Sequence, residues 1–111
     1  MDKKVAIYAR VSTKDQDPEM QLLDLRRYPT ERGFEICHEF VDIGFSGAKD
    51  SRPALDELMH EARKRKFDVV LVWRFDRFAR STKHLVDALY EFRNLGIDFI
   101  SYSEIISLSS L

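Results

Sequence analysis

Two short apolar runs constrain the fold of this chain more than any other feature. Val69 to Trp73 is apolar throughout, and Val5 to Ala9 is a second unbroken apolar run. Runs of this length without polar alternation are typical of strands that are covered on both faces. Helical patterns separate them, and strands that alternate with helices favour right-handed crossovers and a parallel sheet. The sequence therefore predicts an α/β fold: an open, doubly wound, mainly parallel sheet of four or five strands with flanking helices.

Two further strands are predicted from weaker signals. Residues 34–41 are mixed in polarity, which favours an edge strand, and residues 97–101 form the fourth strand. Between the second strand and the next helix, residues 42–51 contain Gly44, Ser46 and Gly47, a composition typical of a loop.

Three helices are predicted between these strands. The first covers about residues 16–32 and contains Pro29, which removes a backbone donor and predicts a kink or an early end near Tyr28. The second begins near Ser51, and the third spans Ser81 to Leu95. The side chains predicted to form their apolar stripes are Met20, Leu22, Leu23 and Leu25; then Leu55, Leu58, Met59 and Ala62; then Leu85, Leu89 and Phe92.

Composition limits the class of protein. The 111 residues, 44% hydrophobic and 33% charged, suit one folded domain, and no apolar run approaches the roughly 20 residues of a membrane span. Cys37 is the single cysteine, so we predict a reducing, cytoplasmic location and a buried, unreactive place for Cys37 in the second strand. The net charge of -1 gives no overall bias toward nucleic acid, so any DNA contact is expected to be local.

Polar side chains follow three strands of the predicted sheet where each strand ends. Ligand sites of open parallel sheets lie beyond the carboxyl ends of the strands. The residues at these ends are Arg10 and Ser12 after the first strand, with Tyr8 just inside it, Asp42 after the second, and Arg74, Asp76, Arg77 and Arg80 after the third. The sequence therefore predicts one rim that combines a hydroxyl, several guanidiniums and two carboxylates.

This combination suits chemistry at a phosphoryl group. Guanidiniums are planar, permanently charged and suited to bidentate contacts with phosphate oxygens, and they stabilise a transition state that gains negative charge. Ser12 is the candidate nucleophile and would give a phosphoserine intermediate. Its base stays open: the arginine-rich field, Asp76, or the environment of the leaving group. The three histidines, predicted to lie away from this rim, are His38, His60 and His84.

Each residue also has a purely structural interpretation. Ser12 alone could be a helix cap, Asp76 with Arg80 could be an i, i+4 ion pair, and Asp42 could begin a turn. The sequence contains no glycine-rich phosphate loop and no metal-ligand spacing, which argues against a nucleotide enzyme or a metal site. The convergence of three strand ends favours a functional site over these separate structural roles.

Three motifs resemble those of the resolvase/invertase serine recombinases. Residues 8–13, YARVST, resemble the nucleophile motif of that family, followed by Gln16 and Gln21. Residues 41–47, VDIGFSG, with RPAL at 52–55, resemble its mobile loop and the arginine after it. Residues 72–80, VWRFDRFAR, are similar to its second arginine motif, and the likeness extends over about residues 4–100.

The resemblance implies a reaction and roles for residues. Ser12 would attack DNA to leave a 5′-phosphoserine link and a free 3′-hydroxyl, without metal, ATP or another cofactor. The implied catalytic roles are contact with the scissile phosphate for Arg10, Arg77 and Arg80, positioning for Arg52 and Asp76, and support for Gln21 and Asp42. The implied DNA-binding or supporting residues are Tyr8, Gln16, Ser46 and Arg74.

The resemblance also implies partners and domain boundaries. The DNA would be double-stranded, and strand exchange would take place in a tetramer assembled from homodimers. Residues 1–103 would form the catalytic domain. Residues 104–111 resemble the beginning of the interface helix that leads to a separate DNA-binding domain in the family, and we expect no DNA-binding domain within this chain.

Three other functions compete with a recombinase. A recombinase-derived interaction or regulatory module would keep the fold without the catalysis. A small phosphate-ester hydrolase would use the arginines for a phosphorylated metabolite, but it lacks an evident general acid or metal site. A receiver-like signalling domain needs acidic residues after the first strand, where Arg10 and Ser12 stand.

Overall fold

The structure is a computed structural model that describes residues 3–12, 18–44, 53–74, 78 and 81–103. Its helices and strands, in chain order, are β1 (Lys4–Ser12), α1 (Pro18–Glu31), β2 (Glu35–Gly44), α2 (Pro53–Arg63), β3 (Val69–Val72), α3 (Thr82–Leu95) and β4 (Asp98–Ser101). No helix in these ranges is long and apolar enough to cross a membrane.

The four strands form one parallel sheet in the order β2-β1-β3-β4. The N-terminal strand β1 is therefore central, and β2 lies at an edge, as its mixed polarity predicts. The predicted α/β class with a parallel sheet is confirmed.

Alternate residues of the central strands face two separate cores, because successive side chains of a strand point to opposite faces. Ala6, Tyr8 and Val70 lie in one core with α2 and α3. Val5 and Ile7 lie in the other, with Leu22 and Leu25 of α1 among the residues on that side. Helices thus cover both faces, which explains why β1 and β3 carry unbroken apolar runs.

Helix ends follow local rules that the sequence displays. Ser81 accepts a hydrogen bond from the His84 backbone N–H at 3.1 Å and caps the start of α3. Gly96 ends α3 in the left-handed conformation at φ 74°, and Gly33 follows α1 at φ 76°. The predicted bounds of α3 are confirmed to within one residue.

The predicted end of α1 near Tyr28 is wrong. The helix continues through Pro29 to Glu31. Pro29 lies in the last turn, so it removes the one bond that its N–H would make to the Leu25 carbonyl oxygen, and only two helical residues follow it. The Thr30 hydroxyl donates to the Arg26 carbonyl oxygen at 2.8 Å.

The predicted apolar stripe of α1 is only half correct. Leu22 and Leu25 are buried, whereas Met20 and Leu23 are 66% and 57% exposed. At 100° per residue the four side chains spread over too wide an arc for one face to bury them all. The stripes predicted for α2 are confirmed, and Phe92 of α3 is buried.

Cys37 is exposed, so its predicted burial is wrong. The register between β1 and β2 shifts at this point, because Val5 pairs with Ile36 and Ala6 pairs with His38. Cys37 is the extra residue of this irregularity on an edge strand, a place where a side chain can leave the core.

A bidentate ion pair links α1 to the edge strand. The Arg26 guanidinium donates to both Glu39 carboxylate oxygens, at 2.6 and 2.8 Å. This hydrogen bonding from Arg26 holds the pKa of Glu39 below its ordinary value of 4.5. A lowered pKa in the folded state stabilises the fold above the ordinary pKa, and the stabilisation is lost as the pH falls through the folded value.

We therefore expect Glu39→Gln to lower the free energy of unfolding at pH 7 by about 0.5 to 1 kcal/mol, a modest figure because both side chains are partly exposed. Denaturant titrations at pH 7 and at about pH 2.5 check this, since the difference from the unsubstituted protein should vanish at the lower pH. Glu35→Gln, on the exposed start of the same strand, is the matched control. An equal loss at both pH values would contradict the role of the Glu39 charge.

Candidate active site

The carboxyl ends of β1, β2 and β3 lie side by side and carry the predicted site residues. Arg10 pairs with Asp42 across β1 and β2, and Ser12, the last residue of β1, pairs with Gly44. Tyr8 is flanked by Phe40 on one side and by Val72 on the other. Among the described members of the predicted rim, Tyr8, Arg10 and Asp42 therefore lie next to one another on β1 and β2.

Asp42 is a buried carboxylate of this rim that accepts several hydrogen bonds. It is only 4% exposed, and its carboxylate accepts hydrogen bonds from the Tyr8 hydroxyl at 2.8 Å and from the backbone N–H groups of Ala54 and Leu55 at 2.8 and 3.0 Å. Those two N–H groups belong to the first turn of α2, where they lack helical acceptors. Asp42 thus caps a helix that begins eleven positions later in the chain, and its negative charge faces the positive end of the helix dipole.

This arrangement corrects the structural interpretation of Asp42. The residue lies within β2 and begins no turn, because the strand extends to Gly44 and not to residue 41. The resemblance implies a supporting role for Asp42, and three hydrogen bonds to its carboxylate are compatible with that role. Sequence reasoning could not connect Asp42 to α2, because the pairing depends on where the helix docks on the sheet.

Tyr8 joins this carboxylate to the segment after β3. Its ring is 1% exposed and meets the ring of Phe78 edge to face, with the centroids 6.0 Å apart. Phe78 itself is fully buried and also contacts Phe92, Phe99 and His84. Sequence reasoning missed Phe78, although an apolar residue between two arginines was a usable signal for a buried anchor.

Two cations and an amide occupy the surroundings of the rim. Arg10 is half-buried and neighbours Asp42, whereas Arg74 is exposed at the end of β3. Gln21 of α1 is half-buried, and its Oε1 atom is buried without a hydrogen-bond partner among the described residues. A buried acceptor without a hydrogen bond lowers the stability of the folded state. The Oε1 atom of Gln21, on α1, is such an acceptor and could accept one hydrogen bond.

Several predicted site residues lie outside the described residues. They are Gln16, Ser46, Arg52, Asp76, Arg77 and Arg80. For Ser12 the structure describes only its backbone position at the end of β1. The predictions for these seven residues remain predictions.

The structure describes the places of all three histidines. His38 and His60 are exposed, and His84 stacks on Phe78 with ring centroids 5.9 Å apart. His84 thus contacts the segment after β3, nearer to the rim than the sequence suggested. Across the part of the chain that is described, no group of three or more histidine, cysteine or carboxylate side chains could hold a metal ion.

Comparison with known proteins places the chain in a family. The chain is 37% identical over 103 residues to the transposon Tn917 resolvase of Enterococcus faecalis and 36% identical over 103 residues to the serine recombinase gin of Escherichia phage Mu. Both alignments cover 93% of the chain but only 51% and 49% of the relatives, so the chain spans about half of their length.

A solved structure supports the same relationship. The N-terminal catalytic domain of TP901-1 integrase superposes with a TM-score of 0.79 at 41% identity, covering 92% of this chain and 78% of that one. Residues 5–110 match the family described as the resolvase N-terminal domain. Since the match includes nearly every residue, the chain belongs to the resolvase N-terminal domain family.

Proposed function

We propose that this chain is the catalytic domain of a site-specific DNA recombinase in which Ser12 attacks a DNA phosphate. The observation that carries the proposal is the strand-end arrangement within this family. Ser12 is the last residue of β1. Arg10 stands two residues before it and pairs with the buried Asp42 of β2. Relatives named resolvase and serine recombinase support the reaction class.

The reaction would conserve the energy of the phosphodiester bond. The Ser12 Oγ atom forms a bond to phosphorus, the bond from phosphorus to O3′ breaks, and the leaving 3′-oxygen takes up a proton. The product is a 5′-phosphoserine link and a free 3′-hydroxyl. The 3′-hydroxyl of the exchanged strand then attacks the phosphoserine, which restores Ser12 and a DNA phosphodiester.

Arg10, with Arg77 and Arg80, would contact the scissile phosphate and stabilise the additional negative charge of its transition state. We propose positioning roles for Arg52 and Asp76. Gln16, Ser46 and Arg74 would contact DNA or support the site, and Gln21 would support it from α1.

Asp42 is unsuited to be the base for Ser12. Its carboxylate is only 4% exposed, and three of its roughly four acceptor positions already receive hydrogen bonds from Tyr8, Ala54 and Leu55. The candidates for the base therefore remain the arginine-rich field, Asp76 and the environment of the leaving group.

The partners and boundaries follow from the same proposal. The substrate would be double-stranded DNA in the cytoplasm, and the active assembly would be a tetramer built from homodimers. Residues 1–103 would be the catalytic domain, and residues 104–111 would begin an interface helix. Because its net charge is only -1, the domain would have no general attraction to DNA, and its affinity for DNA would depend on local contacts between arginines and phosphates.

Trapping of a covalent adduct tests the proposal. The protein is incubated with a pool of randomised short duplexes that carry a central nick, so that cleavage opposite the nick releases the end and prevents resealing. We expect a protein–DNA adduct on a denaturing gel, with the nucleotide attached to Ser12 in the digested peptide by mass spectrometry. If a protein shown to bind the pool forms no adduct, the interaction module without catalysis replaces this proposal.

A further inference from the structure

Tyr8 lies between two chain segments that carry predicted arginines. It is on the central strand, is buried, and uses opposite parts of its side chain for two contacts. The hydroxyl donates to Asp42, and the ring edge meets Phe78. A tyrosine can do this because it combines a large apolar ring with one polar atom at its tip.

The hydroxyl contact leads toward Arg52. Asp42, which receives that hydrogen bond, also accepts from the N–H groups of Ala54 and Leu55. Arg52 is two residues before Ala54 and directly before Pro53, the first residue of α2. The backbone that follows Arg52 is therefore fixed to the end of β2 by one carboxylate whose position depends on Tyr8.

The ring contact leads toward Arg77 and Arg80. Phe78 directly follows Arg77 and is two residues before Arg80. Its ring is packed among aromatic side chains from α3 and β4 as well as against Tyr8. Burial of this ring on several sides fixes the position of Phe78, the residue that stands between the two arginines in the sequence.

We propose that Tyr8 is a positioning residue that couples the first turn of α2 to Phe78, the two described places that adjoin Arg52, Arg77 and Arg80 in the sequence. The inference rests on the proposed function for what the arginines do. The coupling itself is a physical property of the fold: a change at Phe78 reaches the first turn of α2 through Tyr8 and Asp42.

The first test measures the coupling without DNA. Amide hydrogen exchange is followed at Ala54 and Leu55 in Tyr8→Phe, in Phe78→Leu and in the double variant. We expect each single variant to accelerate exchange of both amides at least about fivefold, because the carboxylate that accepts them is less well held. In the Tyr8→Phe background, Phe78→Leu should add little, since the connecting hydroxyl is already gone. Unchanged exchange in Phe78→Leu, or effects that multiply in the double variant, would overturn the coupling.

The second test measures its consequence for catalysis. With nicked duplexes, Tyr8→Phe should lower the maximal rate of adduct formation about 10- to 100-fold, while the DNA concentration that gives half the maximal rate stays within twofold. Tyr90→Phe, at an exposed tyrosine of α3, is the matched control and should behave as the unsubstituted protein. Val5→Ala, at the opposite end of β1, controls for lost stability and should leave the maximal rate unchanged in the folded fraction.

The outcomes separate the two proposals. A maximal rate for Tyr8→Phe that equals that of the unsubstituted protein, or that falls only as far as in Val5→Ala, would overturn the positioning role. A complete lack of adduct in the unsubstituted protein would instead count against the proposed function, and the exchange measurements would still decide the coupling.

Discussion

Replacing Ser12 by alanine is expected to abolish adduct formation with nicked DNA, with a loss of at least about a thousandfold in rate. Alanine has no oxygen that could form a bond to phosphorus, and the covalent intermediate depends on that bond. The loss should be larger than that from any single arginine, because in the proposed reaction each arginine would stabilise charge, whereas Ser12 would supply the reacting atom. Gel quantification of adduct over time, at equal concentrations of the two proteins, measures the effect.

The control for this prediction is DNA binding. Fluorescence anisotropy with the same duplexes should give dissociation constants within about twofold for Ser12→Ala and the unsubstituted protein, since the substitution removes no charge. Thr30→Ala, at an exposed hydroxyl residue near the end of α1, is the control and should still form the adduct. If Ser12→Ala retained adduct formation, another nucleophile would have to be sought in this chain.

Replacing Asp42 by asparagine is expected to lower the free energy of unfolding by about 2 to 4 kcal/mol. The carboxylate accepts three hydrogen bonds inside the protein, and bonds to a charged group contribute about 1.5 to 3 kcal/mol before losses elsewhere are counted. An asparagine of the same shape has one oxygen, so its NH2 group would face a backbone N–H donor or the Tyr8 hydroxyl. The attraction between the carboxylate and the first turn of α2 would also be lost.

Urea denaturation at pH 7 measures this loss as a shift in midpoint at a constant slope. Asp87→Asn, at an exposed carboxylate on α3, is the control and should change the free energy of unfolding by less than about 0.5 kcal/mol. A loss at Asp42 no larger than at Asp87 would show that the three hydrogen bonds do not hold α2 to the end of β2.

The sheet could be predicted from the sequence because its signal is local. The apolar runs at residues 5–9 and 69–72 directly indicate strands that are buried on both faces. Ser81 marks the start of α3 by its side-chain cap, and Gly96 marks the end by its left-handed backbone. The place proposed for the site rests on the same information, because parallel strands end at a common edge.

The errors have a shared physical origin. The helical spacing shows that the four apolar side chains of α1 cannot share one face, but which of them the sheet covers depends on how α1 docks. Whether Cys37 is covered depends in the same way on the neighbours of the edge strand. The two contacts of Tyr8 were missed for the same reason: Asp42, Ala54 and Phe78 are far apart in the chain, and only the docking of α2 and the segment after β3 brings them to one tyrosine.

The central place of β1 has a consequence for folding during synthesis. Val5 pairs with Val69, so β1, the first strand of this sheet in chain order, obtains its second neighbour only after β3 has been synthesised. Pairings between such distant segments form slowly, because closing a long loop costs conformational entropy before the strand contacts can stabilise the structure. Until β3 arrives, the apolar β1 is exposed along one edge, and a nascent chain in that state would be vulnerable to aggregation. The strand that ends in Ser12 is thus among the first parts to be synthesised and among the last to be completed.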